Sequence, residues 1–588
     1  MEEAIIDGGI SKKAKFDDGL LSDLSSEIVQ NFITARETLK KEELSHRSGN
    51  KTPPLPSKPY LTSFTDHEFR HNLSVTALNA SSILSRIRSE ELALKWSTAA
   101  SSSLSRDELF PGMVFNNAKP VLETTELWRL VKMMPKGALL HCHLGAMVDL
   151  EWVFETALAE DGMCICADVP LVDDVVRESA GIRYRFSKSA HLEANASIWL
   201  ADYVPGAFIP VAVAADLFPD GGRKRFVAWM KDRCSITQAE SLQHHLGVDD
   251  VWRKLNAAFS VLPGIVYYEP ILRKFLRKFF TTLLEDKVRW VEFRSAPFTP
   301  LYVLGSETPT LDPGVLCSVL SDEIEKFKAS EAGRGFWGAR MIWAGLRFWS
   351  TDKIIEDMRH CIRLKKIYPA LISGYDLVGH EDPGRTLESL TPELLWFQGQ
   401  CKQQNLTIPL FLHAGETVGC GTPTDHNLYT AILLGSRRLG HAFSLYKHPV
   451  LISLAKSQNI LVESCPISNE VLRYTASIMS HPLPALINRG VKACLCNDDP
   501  SMLGQGTSGL SHDFWQALQG WEDLGLAGLG GLAENSVRWG AFEDERDEEW
   551  KSGIEAGYEA AGMRGQRMRE WRDEWEGFCG WVAREYGR

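Results

Sequence analysis

Eight short apolar runs, each followed by a stretch of helical periodicity, constrain this chain more than any other feature. They lie at 138–143, 288–295, 340–347, 371–379, 408–414, 438–443, 460–465 and 491–497, with helical stretches such as 313–329 and 351–367 between them. An alternation of strand and helix repeated eight times favours a closed TIM (β/α)₈ barrel over an open doubly wound sheet. In such a barrel the chemistry gathers at the C-terminal ends of the strands, where eight loops surround one mouth.

Between the first and second strands roughly 145 residues intervene, whereas a βα unit needs only about 30. The surplus implies an inserted subdomain at 162–251, followed by helices through 285, with the barrel built from 136–161 and 252–545. Residues 546–588 read as a C-terminal helix. Residues 1–135 read as an N-terminal extension, partly disordered and then helical, interrupted by Ser/Thr/Pro-rich stretches at 48–57 and 99–105. That extension admits two readings: a partner arm or dimerisation element, giving a homodimer, or a solvated tail with helices covering the barrel. A chain of 588 residues accommodates two or three such units.

The balance of 64 basic against 76 acidic residues, a formal charge of -12, argues against nucleic acid or an anionic membrane as partner and leaves a neutral or cationic small molecule. The first residues lack the basic and apolar regions of a secretory signal, and no long uncharged run suits a bilayer. Twelve cysteines are too few for a disulfide framework at this length, so a reduced, cytoplasmic setting is expected.

Four separated motifs end apolar runs: His141-Cys-His143, His413-Ala-Gly-Glu416, Gly440-His441-Ala-Phe443 and Asn497-Asp498-Asp499-Pro500. Residues two apart on a strand share a face, so His141 and His143 can bind one ion while Cys142 points away. His413 would add a third imidazole and Asp498 an oxygen. A His₃Asp shell with an open water position suits one zinc ion, although cobalt or iron also fits such donors.

Glu416 follows His413 closely enough to carry a proton between water and substrate; in isolation it would read as a helix N-terminal carboxylate. His441, offered to the same mouth, reads as a base, a fifth ligand or a satisfied core histidine. Asp499 cannot share the geometry of Asp498 and is placed to hydrogen-bond a substrate, or else to cap a helix before Pro500. In the charged C-terminal stretch, Trp571, Trp575 and Phe578 fall on one helical stripe, most simply a face docked on the barrel.

Taken together, the motifs 134–143, 374–382, 413–416, 438–443, 463–469 and 497–500 resemble the adenosine/AMP deaminase family of metal-dependent amidohydrolases. Gly374-Tyr-Asp-Leu-Val-Gly-His-Glu-Asp382 and Met134-Pro-Lys-Gly137 are most similar to its adenosine deaminase-related growth factor branch. The resemblance implies zinc-dependent hydrolysis of adenosine or 2′-deoxyadenosine to the inosine product and ammonia. Zinc would lie on His141, His143, His413 and Asp498; Glu416 would protonate the purine ring nitrogen and His441 would act as the base. Asp499 and the backbone of Gly379 would bind the purine, with Trp252 and His380 near the ribose.

Two departures stand out. Relatives often carry an acidic residue just after the His-x-His, where Leu144-Gly145-Ala146 stands here. The resembled branch is also usually secreted and glycosylated, whereas the Asn195-Ala-Ser197 match here is short enough to arise by chance. A deaminase of another aminated purine, and a non-catalytic binding protein on the same barrel, are the competing readings; the intact ligand set weighs against the latter.

Overall fold

In a computed structural model the described residues are 26–47, 69–70, 72–96, 110–188, 197–219 and 221–587. The interruptions at 48–57 and 99–105, and Asn195, lie outside them.

Each of the eight apolar runs contains a strand. In chain order these are β1 (Gly137–Leu139), then, after the three strands of the insertion, β5 (Val288–Ser295), β6 (Gly338–Leu346), β7 (Ile372–Val378), β8 (Phe411–Ala414), β9 (Arg438–His441), β10 (Leu461–Ser464) and β11 (Lys492–Leu495). All pair in parallel, as two four-stranded sheets ordered β1-β5-β6-β7 and β11-β10-β9-β8. Single parallel bridges join their edges, Tyr375 to Leu410 on one side and Cys142 to Asp498 on the other. The strands are buried along nearly their whole length, as parallel strands covered by helices must be. The covering helices show why: Glu269–Glu285 buries Ile271, Leu272, Phe275, Leu276, Phe279 and Phe280 at three- and four-residue spacing. Asp312 with Pro313, and Ser350, supply the N-terminal caps of two others.

The stretch between β1 and β5 holds an antiparallel sheet of β2 (Met163–Ala167), β3 (Ile182–Phe186) and β4 (Ile209–Pro210), ordered β3-β2-β4. Its end is not a break at 251/252, because one helix, Gly247–Val261, runs across that point. The helix is continuous through its buried face of Val251, Trp252, Leu255, Ala258 and Val261. The C-terminal region likewise divides into two helices, Asp547–Ala556 and Gly562–Tyr586. Gly557 interrupts it at a φ of 55°, a conformation glycine adopts at little cost. Trp571, Trp575 and Phe578 are buried on the second helix, against Phe69 and the helix Val75–Leu94.

Candidate active site

The ends of β1 and β11 are tied together by the backbone. His143 N–H donates to the Asp498 carbonyl at 3.1 Å, and Asp498 N–H to that of His141 at 3.2 Å. Asp498 and His441 take left-handed backbone with φ of 57°, a strained choice for residues with side chains that aims both into the mouth. The ligand atoms of His141, His143, His413 and Asp498 consequently all lie within 4.8 Å of one another. Asp498 Oδ1 is 3.4 Å from His141 Nε2 and 3.1 Å from His143 Nε2. His141 Nε2 and Asp498 Oδ1 are buried without a hydrogen bond. Converging lone pairs of this kind, inside a protein, fit a divalent cation.

Behind the ligands stands a set of buried charges. His141 Nδ1 donates to Glu463 at 2.8 Å and His413 Nδ1 to Asp376 at 2.7 Å, which turns each Nε2 lone pair inward. Arg294 bridges the two carboxylates, donating to Asp376 and to Glu463 at 2.7 Å each. Arg438 holds the other Glu463 oxygen at 2.5 Å and reaches Glu292 at 2.8 Å. Burial would raise the carboxyls, but His413 and Arg294 hold Asp376, and Arg294 and Arg438 hold Glu463, below the ordinary range. Gly440 leaves the room this needs: a Cβ there would stand 2.8 Å from the His141 ring.

Burial drives His413 down to about 3 and lowers His143 and His441, so these rings stay neutral donors of electron pairs. Burial and Arg294 pull on His141 in the same direction, but the adjoining Asp498 carboxylate and the hydrogen bond to Glu463 leave it raised. Burial would raise Asp498, but the imidazoles of His141, His143 and His441 set against it hold it well below the carboxylate range.

Glu416 and Asp499 behave in the opposite way. Burial first, then the charges of Asp498 and Glu381, push the Glu416 carboxyl well above its ordinary value; burial and Asp498 do the same to Asp499. Each has an oxygen buried without a hydrogen bond. The Glu416 backbone is fixed by Glu381, which accepts the N–H groups of Gly415 and Glu416. His441 lies 3.4 Å from Glu416 through Nδ1 and 3.9 Å from Asp498 through Nε2, and Asn469 is 3.3 Å from its Nδ1.

One cavity of about 560 Å³ opens at this point, lined by residues from the ends of β1, β5, β6, β7, β8, β9 and β11 and by the helix Gly247–Val261. His143, His413, Glu416, His441, Asp498, Asp499, Gly379 and Trp252 all reach its wall; His141 lies beneath it. His380 sits behind Trp252, with rings 4.6 Å apart and 3° from parallel, while the Trp252 indole donates to Tyr474 at 2.8 Å. The sequence reading assigned no roles to Asp376, Glu463, Arg294, Glu381, Ser468 or Gly440. Arg294, Asp376 and Glu463 are charged residues inside buried strands, a local signal the others lack; Glu381 and Ser468 lie past strand ends, where the Ser468 hydroxyl donates to Asp498 at 2.7 Å.

The family model described as adenosine deaminase matches residues 233–556. An adenosine deaminase of Lutzomyia longipalpis is 29% identical over 78% of this chain and 80% of its own length. Adenosine deaminase 2 of Homo sapiens is 29% identical over 75% of this chain and 82% of its own. A cog1816 amidohydrolase of Burkholderia ambifaria, solved with bound Zn, shares the fold at a TM-score of 0.50 and 16% identity, over 81% of this chain and 100% of its own.

Proposed function

This chain belongs to the adenosine deaminase family, and from that premise we propose that it is a zinc enzyme converting adenosine and 2′-deoxyadenosine to the inosine products with release of ammonia. We read the two sheets as one eight-stranded barrel with 162–251 as its inserted subdomain. The observation that carries the functional reading is the convergence of His141, His143, His413 and Asp498 within 4.8 Å, beside the buried Glu416 carboxyl, in a nucleoside-sized cavity.

A zinc ion on those four residues would supply Lewis-acid activation of water near neutral pH. The protein's own groups do the rest. Glu416, protonated in its buried setting, gives its proton to the purine ring nitrogen adjacent to the attacked carbon, because addition there breaks ring conjugation and puts electrons on that nitrogen. His441, neutral and facing Asp498, takes the proton of the attacking water. Asp499 accepts or donates at the purine edge, and the Gly379 backbone forms the wall beside it. His441 returns its proton to the amino group and Glu416 takes back one from the new hydroxyl, so that the carbon–nitrogen bond breaks, ammonia leaves and both groups are restored. Trp252 borders the sugar, and His380 supports Trp252 from behind rather than meeting the substrate.

All twelve cysteines are described and none is in a disulfide, in keeping with a reducing compartment; no described helix is long and apolar enough to cross a membrane. The test is the ultraviolet change on mixing zinc-loaded protein with adenosine, beside Glu416→Gln. Conversion by the wild type, with at least a hundredfold loss in the variant and zinc retained, is expected. Equal rates would remove Glu416 from its role, and no conversion would overturn the reaction.

A further inference from the structure

The cavity has an ionisable floor and a neutral wall. Among the described residues its charged lining groups and imidazoles are His143, Arg294, His413, Glu416, His441, Asp498 and Asp499, beside the buried phenol of Tyr267. Of these charged groups and imidazoles, all but Arg294 belong to the metal and proton set or the purine edge. Arg294 is fully buried, with its guanidinium committed to Asp376, Glu463 and the carbonyls of Leu140 and Phe411. It has no charge to spare for a ligand.

The wall beyond the floor is where a sugar must extend once the purine lies between Glu416, Asp499 and Gly379. There the lining includes Leu144, Phe259, Leu262, Val266 and Phe348, with the buried Tyr267 and Ser295, and Asn256, Ser260 and Thr299, as neutral hydrogen-bonding groups. Leu144 directly follows the ligand His143 and is 1% exposed; the Phe259 ring is 6.4 Å from that of His143. Phe348 is 65% exposed at the mouth, its ring 3.9 Å from where a Cβ on Gly379 would stand.

We infer that this enzyme accepts adenine nucleosides whose 5′ carbon bears a neutral apolar group, 5′-deoxy or 5′-alkylthio, at least as readily as adenosine, and refuses 5′-phosphates. The inference rests on the deaminase reading above and names the substrate class for that same site. Burying a 5′-hydroxyl against Leu144 and Phe259 removes water from it without a carboxylate to replace that water. A methylthio group in the same place gains from leaving water. A 5′-phosphate would have to leave water for a wall of Leu144, Phe259 and Phe348 that, among the described residues, offers no uncommitted cation.

The experiment compares kcat/KM of the zinc-loaded full chain on adenosine, 5′-deoxy-5′-(methylthio)adenosine and AMP. The thioether value is expected to equal or exceed that for adenosine, with AMP at least a hundredfold lower; a thioether value below one third of that for adenosine, or AMP within tenfold of it, overturns the inference. Leu144→Asp is expected to lower the thioether-to-adenosine ratio at least tenfold, with zinc content unchanged by elemental analysis. Phe348→Ser, at an exposed position that does not threaten folding, is expected to lower it about threefold. A ratio unmoved in both variants refutes the assignment of this wall. Turnover of adenosine alone defeats this inference while leaving the deaminase; turnover of no nucleoside defeats the deaminase reading itself.

Discussion

Replacing Asp376 by Asn tests whether the buried charges behind the ligands set metal affinity. Asp376 Oδ1 accepts the backbone N–H groups of Leu377 and His413 at 2.7 and 2.9 Å, and Oδ2 accepts His413 Nδ1 and Arg294 Nε at 2.7 Å each. Asparagine can keep the first pair with its oxygen, but its amide then faces two N–H donors with a donor of its own. His413 loses the acceptor that directs its Nε2 lone pair at the ion, and loss of such a partner weakens metal binding about 10–100-fold, or roughly 1.4–2.7 kcal/mol. Separately, removing a sole partner from a buried charge costs about 3–5 kcal/mol; Arg294 retains Glu463, so about half that loss is expected in the metal-free fold. Competition with a chromophoric chelator reads the first quantity, and urea denaturation of chelator-stripped protein the second. Zinc affinity within threefold of wild type, with unchanged stability, would refute the argument that Arg294 couples the two histidines.

Three further outcomes are expected. Gly440→Ala places a methyl 2.8 Å from the His141 ring and 3.3 Å from the His413 Cα; zinc affinity should fall at least tenfold, measured by the same competition, while helix content by circular dichroism stays constant. Glu470 is a carboxyl raised by burial from 4.5 to about 8, although it accepts the N–H groups of Phe115 and Ile478. The folded state therefore holds a proton that the unfolded chain has released, so stability is full below about pH 4.5 and falls by up to ~1.4 kcal/mol per unit as pH rises toward 8. Urea midpoints across pH 5–8 should show that slope, and Glu470→Gln should flatten it; an identical slope in the variant would exclude the group. Trp571→Ala removes a fully buried ring that donates to the Pro135 carbonyl and stacks on Trp575, with an expected loss of about 3–5 kcal/mol. A change under 1 kcal/mol would mean that the C-terminal helix is not part of the core.

The eight strands, the helices between them and the candidate ligands and proton carriers were legible in the sequence. These are local properties: a short apolar run, a two-residue spacing that turns His141 and His143 to one side, an acid three residues past His413. Periodicity and donor chemistry are written within a few residues, and His441, Asp498 and Asp499 could be located by their position at strand ends alone. Only the tertiary structure decided what stands behind and around them. Arg294 meets Asp376 and Glu463 across 82 and 169 residues of chain, and those pairings depend on strand register, in which a slip of one residue reverses every side chain. The same dependence put His380 behind Trp252 rather than on the cavity wall, carried the helix Gly247–Val261 through an expected boundary, and broke the C-terminal helix at Gly557. It also assembled a neutral wall from Leu144, Phe259 and Phe348, of which only Leu144 stands out in the sequence, and the three together decide which sugar can enter.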